Sequence, residues 1–219
     1  MEPHQPLGPV GEFPQPPWRL RARFWIVPAI VPLELARRLV PPHVRVLPIL
    51  PGRTLGGLLL ARYGPGSSLA YRELLIVGAL VRSGRRVGLW TPRIWVDSAT
   101  SAVAGRSLWG LPKQLASFVG DPPMVRVGGD VALSLATGRL RLAVPVPVIT
   151  PVFGRRRDGE VWTPAYGLAA IGAVRARLHL PPQSPVAALG LRPARFALAG
   201  RARVRFPAAR HVNAGVPDD

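Results

Sequence analysis

A chain of 219 residues, 48% of them hydrophobic and spread along its length, can bury one sizeable core and is short for two domains of ordinary size. Its formal charge of +18 rests on 28 arginines and a single lysine, and the absence of cysteine excludes disulfides, thiolate nucleophiles and cysteine-ligated metals. No run approaches the roughly 20 apolar residues of a spanning helix, and the first residues are acidic, proline-rich and polar, unlike a secretory signal, so a cytoplasmic protein with no membrane partner is expected.

Residues 1–16 are rich in proline and lack periodicity, which predicts a disordered lead-in. The domain is expected over 17–212, with a loose tail at 213–219. Trp18, Leu20, Ala22, Phe24 and Ile26 alternate with Arg19, Arg21, Arg23 and Trp25, the period of a strand with two unlike faces. Leu33 to Leu39 has helical spacing and stops before Pro41-Pro42. Tyr71 to Val81 is apolar on both faces and reads as a buried strand that turns at Ser83-Gly84 into a hairpin. A strand over Arg93 to Val96 precedes a helix that Asp97 or Ser98 can cap and that runs through Leu108 before Gly110 and Pro112 end it. Lys113 follows, expected on a loop. Met124 to Val148 reads as three strands broken at Gly128-Gly129 and Thr137-Gly138, with further strands over Ile171 to Leu180 and Phe196 to Phe206. Many strands with two short helices and no internal repeat predict a single antiparallel α+β domain.

The arginines stand singly or in pairs except at Arg155-Arg156-Arg157 and the alternating Arg201, Arg203 and Arg205, so a solvated surface is the reading and no nucleic-acid partner is expected. A nucleic-acid binder would need a contiguous basic face. His4, His43, His179 and His211 are isolated, and the carboxylates between Glu34 and Asp121 are not grouped, so neither a metal nor another cofactor is expected. Gly105-Arg106-Ser107-Leu108-Trp109 approaches a serine nucleophile elbow but ends in tryptophan where glycine is required.

Two positions carry chemistry. Glu73 occupies the strand face shared by Leu75, Val77, Ala79 and Val81, where a carboxylate must be paired, hydrogen-bonded or protonated. A structural ion pair with an arginine is the competing reading. Lys113 is the only lysine, and arginine, which serves elsewhere as the surface cation, cannot become a neutral amine nucleophile. Trp109, Leu111, Pro112, Leu115 and Phe118 surround it in sequence and would favour the neutral amine.

The stretch from Val96-Asp97-Ser98 through Gly105-Arg106 and Gly110-Leu111-Pro112-Lys113 to Leu115-Ala116 resembles the signature of the acetoacetate decarboxylase family. Tyr71-Arg72-Glu73 resembles that family's Tyr-x-Glu, and Pro17-Trp18 to Arg23 its first strand. The resemblance covers most of residues 17–118. It implies an antiparallel β-cone or barrel enclosing a pocket, a homo-oligomer, and a small keto acid as substrate. It makes Lys113 the Schiff-base nucleophile, with Glu73 as catalytic partner. Arg23, placed to pair with Glu73 or the substrate, joins Gln114 and Trp109 as the expected substrate-binding residues. The chain departs from the family where Gln114 replaces a second lysine and where a second pocket glutamate would fall near Leu58. The implied activity is decarboxylation through a lysine imine. Its alternatives are aldol and dehydration chemistry on pyruvate-like carbonyls, or a non-catalytic binding barrel.

Overall fold

A computed structural model describes residues 13–121, 124–128, 133–184, 186–187 and 192–212. The expected tail, most of the lead-in, and Gly129 lie outside them. The chain order is β1 (Trp18–Pro32), α1 (Leu33–Leu39), β2 (Arg45–Val46), β3 (Arg53–Tyr63), β4 (Tyr71–Val77), β5 (Ala79–Ser83), β6 (Arg86–Trp90), β7 (Arg93–Val96) and α2 (Ala99–Trp109). It continues with β8 (Lys113–Leu115), β9 (Phe118–Asp121), β10 (Met124–Val127), β11 (Leu133–Thr137), β12 (Val144–Arg156), β13 (Gly159–His179), β14 (Arg192–Pro193), β15 (Phe196–Phe206) and β16 (Arg210–His211).

One large sheet results, in the order β2-β5-β6-β12-β13-β15-β1-β3-β4-β7-β8. This corrects the expected barrel: the path does not close on itself. It is also not wholly antiparallel, because β12 runs parallel to β6 and β7 parallel to β8. The second parallel pair follows from connectivity, since α2 lies between β7 and β8 as a crossover.

The alternation in β1 holds over its first half, where Trp18, Leu20, Ala22 and Phe24 are buried and Arg19, Arg21 and Arg23 exposed. Beyond Trp25 the pattern inverts, and Val27, Ala29 and Val31 are the buried set. Each sheet face is thus covered over only part of its length, and two larger cores form beside a small cluster of Phe24, Ala61 and Ala169. One gathers Val27, Val31, Leu58, Leu74, Ile76 and Trp95. The other, beneath α2, gathers Trp18, Tyr71, Ile94, Val96, Ala102 and Trp109.

The buried strand expected from Tyr71 to Val81 is two strands, broken at Gly78. A side chain there would press to 3.1 Å on Leu39 and 3.2 Å on Pro92, so close packing selects glycine at the break. The long hairpin of β12 and β13 exceeds expectation. Pro145, Pro147, Pro151 and Pro164 lie inside it, and prolines in sequence read as strand breaks.

Candidate active site

The site forms where α2 crosses β4, β7 and β8. Ser98 caps α2 by accepting from the Ser101 amide at 3.2 Å, which leaves Asp97 free to accept from the Arg72 backbone and guanidinium at 2.7 and 2.6 Å. The helix ends at Gly110 in the left-handed region, φ 62, as glycine permits. That turn delivers Lys113 to the start of β8, beside Ile94 of β7, so the lysine is on a strand rather than a loop. Glu73 of β4 faces Val96 of β7. Directly opposite residues share a sheet face, which puts Lys113, Glu73 and Tyr71 together under α2.

Lys113 is 4% exposed and Glu73 5%. The Lys113 Nζ lies 2.7 Å from Glu73 Oε2 and donates to Ser101 Oγ at 3.1 Å and to Tyr71 Oη at 3.2 Å. An ammonium has three donors, and these partners take all of them. Tyr63, at the end of β3, donates its hydroxyl to Glu73 Oε1 at 3.1 Å, so both carboxylate oxygens are engaged. The Tyr63 and Tyr71 rings pack 4.6 Å apart.

Burial alone would lower the Lys113 pKa, but the Glu73 carboxylate and then Tyr71 outweigh it and hold the amine above its ordinary value. The apolar sequence neighbours predict the opposite. Glu73, Tyr71 and Ser101 approach from other elements, and through-space charge at under 3 Å prevails over desolvation. Burial, followed by Glu73, pushes Tyr71 up to about 12 and Tyr63 well above its usual range. Both phenols are therefore neutral hydroxyls at neutral pH.

The Gly-Arg pair of α2 has a physical role that the sequence does not show. A β-carbon at Gly105 would sit 2.5 Å from Lys113 Cδ and 2.9 Å from Cε, so the missing side chain is the channel through which the lysine passes. Arg106 then donates to the Lys113 carbonyl at 2.7 Å, fixing the backbone from which the amine projects. Gly105→Ala should gain helix propensity of roughly 1 kcal/mol yet displace the amine. The expected result is a folded protein whose Lys113 amine reacts about 10²-fold more slowly with a carbonyl reagent, as for other misplacements of about 1 Å.

The other expected site residues are placed elsewhere. Arg23 is exposed and pairs with Arg62 and Arg201, one residue out of step with Phe24, which lies in the row of Ala61 and Glu73. It therefore points from the opposite face and cannot reach Glu73. Gln114 sits opposite Trp95, also on the reverse face from Lys113. Replacing a lysine there by glutamine leaves the immediate surroundings of the amine unchanged. Trp109 is core: its indole donates to the Pro207 carbonyl at 2.7 Å and its ring packs edge-on against Trp18 and Phe206, at 4.9 Å in each case. Leu58 lies in the core on the far face, so among the described residues Glu73 is the carboxylate at the amine. Tyr63 and Ser101 are the parts that sequence reasoning does not find, while Gly105-Arg106 stands in the family-like signature without a role. Among the described residues no three acids or histidines are grouped to hold a metal, and no helix is long and apolar enough to cross a membrane.

This arrangement can be set beside known proteins. "Protein NEOXANTHIN-DEFICIENT 1" of Oryza sativa subsp. japonica is 34% identical over 103 residues, 47% of this chain. The match spans only 34% of that relative's length. The fold is similar to that of the enduracididine biosynthesis enzyme MppR complexed with pyruvate, with a TM-score of 0.67 at 16% identity, covering 95% of this chain and 99% of that one. It is also similar to an acetoacetate decarboxylase from Legionella pneumophila, with a TM-score of 0.64 at 18% identity, covering 94% and 92%. The family model "Acetoacetate decarboxylase (ADC)" matches residues 4–144, a span that holds Glu73, Ser101 and Lys113, and the chain belongs to that family.

Proposed function

We propose that the protein is a lyase that forms an imine between Lys113 and a small keto acid and releases carbon dioxide from it. The observation that carries this reading is the sole lysine of the chain buried against Glu73 at 2.7 Å. A surface cation needs no such burial, and a merely structural pair could use any of the arginines.

Glu73 takes a proton from the ammonium, the neutral amine adds to the ketone, and Glu73 returns that proton to the departing hydroxyl, which leaves as water and gives a protonated imine. The electrons of the bond to the carboxylate carbon move into that imine, carbon dioxide leaves, and an enamine remains. Glu73, hydrogen-bonded to Tyr63, relays a proton from solvent to the enamine carbon. Water then hydrolyses the imine and frees the lysine. Desolvation favours the step in which charge is neutralised.

Aldol or dehydration chemistry on a pyruvate-like carbonyl starts from the same imine. The three hydroxyls of Tyr63, Tyr71 and Ser101 around the amine pair favour it as a second reading, because they can hold or remove a substrate hydroxyl.

Incubation with acetoacetate or pyruvate and borohydride should reduce the imine to a stable secondary amine, seen by mass spectrometry as an adduct on the Lys113 peptide. An unmodified chain with both acids would overturn the mechanism. Carbon dioxide release from acetoacetate, against condensation of pyruvate with an aldehyde, separates the two reactions.

A further inference from the structure

The arginines that look dispersed in sequence are gathered by strand pairing. On the sheet face opposite Lys113, Arg205 faces Arg19, Arg203 faces Arg21, and Arg201 faces Arg23, which in turn faces Arg62. All are exposed. Along each strand the guanidinium positions repeat every second residue, about 6.8 Å apart. Like charges directly opposite one another repel. Among the described residues Asp121 is engaged by Arg62, Asp97 by Arg72, Asp158 by Arg156, and Glu160 by His43 and Ser83. Glu34, on α1, offers no match for a face of this size.

The same rows continue into apolar side chains. Tyr166 lies beside Arg205 and Leu168 beside Arg203, with Ile149 and Pro147 next in line. Leu168 is 65% exposed and Ile149 74%. An open groove of about 810 Å³ runs over the face between Gly64-Pro65 and Pro145 to Pro147. The face is thus two-toned, with an arginine array flanked by a stripe of aliphatic and aromatic side chains in water.

We infer that this face docks on an anionic membrane surface, with the arginines on lipid phosphates and Ile149, Leu168 and Tyr166 in the headgroup region. A nucleic-acid strand would neutralise the arginines but leave the aliphatic side chains against water. A second copy of the chain would cover the apolar stripe but bring more arginine and, among the described residues, only Glu34 as an acid outside an ion pair. An anionic bilayer satisfies both halves, and a basic patch joined to an apolar one is the combination that holds proteins at such surfaces.

Co-sedimentation of the intact protein with vesicles of phosphatidylcholine containing about 30% phosphatidylglycerol tests the inference. Binding is expected to exceed that to phosphatidylcholine alone and to weaken as sodium chloride is raised. The triple substitution Arg201→Ser, Arg203→Ser, Arg205→Ser should lower the partition coefficient about 100-fold. Leu168→Ser with Ile149→Ser should lower it about tenfold while leaving any oligonucleotide binding unchanged. Borohydride trapping at Lys113 reports that each variant is folded, and the salt series on the unaltered protein stands if one is not. Equal binding to neutral vesicles would overturn the inference. So would a single-stranded oligonucleotide that binds where vesicles do not, or self-association lost in the same variants without vesicle binding.

Discussion

Glu73→Gln is expected to speed borohydride trapping of Lys113 at neutral pH while lowering turnover by about 10²- to 10⁴-fold. The two effects separate because Glu73 has two tasks in the proposed mechanism. In the resting protein its carboxylate is what holds the amine in its charged form, against burial. Glutamine removes the charge and keeps the shape, and desolvation then moves the amine toward its neutral, nucleophilic state. Each pH unit by which the midpoint falls raises the neutral fraction about tenfold. In the proposed mechanism the same substitution removes the group that relays a proton to the enamine carbon. Trapping measured against pH, beside steady-state turnover, checks both halves, and a parallel loss of trapping and turnover would show that Glu73 only props up the fold.

The linkage to stability has a definite sign. The folded Lys113 pKa lies above its unfolded value, so the pair's contribution is fully present below the ordinary lysine value of about 10.4. It is lost as pH rises through the higher folded value. Lys113→Met should abolish imine formation altogether. It should also destabilise the fold by about 3–5 kcal/mol, because Glu73 is left buried without its cation. Lys113→Met with Glu73→Leu should recover most of that loss, since replacing both members of a buried pair by apolar groups is often neutral or stabilising. Urea titration of the single and double variants measures the difference. A double variant no more stable than the single would mean that packing around Gly105, not charge, sets the cost.

What the sequence makes legible is what depends on local period and local caps. The first half of β1, α1, α2 and β15 are read from alternation, from proline and glycine boundaries and from Ser98. Lys113 stands out by composition and Glu73 by the apolar company it keeps. What depends on pairing across the sheet stays hidden. Arg23 is assigned correctly to the polar face of β1, but that face lies away from Glu73 only because β3 sits between β1 and β4 in a particular register. Gln114 is turned from the amine for the same reason, since adjacency to Lys113 in a strand means the opposite face. The arginine array is a register effect too: it exists because alternation in β15 falls in phase with alternation in β1. Tyr63 carries no sequence signal, being ten residues from Glu73 and brought to it by the β3–β4 hairpin.

The threefold cradle around the amine has a consequence for the proposed imine. An ammonium brings three hydrogens to Glu73, Tyr71 and Ser101, whereas a protonated imine keeps one. Condensation therefore strips two contacts from the nitrogen at the moment a substrate arrives. If the remaining hydrogen stays with the carboxylate, as the stronger acceptor, the hydroxyls of Tyr71 and Ser101 are released together. They become available to the departing water and to the oxygen atoms of the substrate. The resting lysine thus keeps occupied the very groups that the bound ketone will need, and vacates them by reacting.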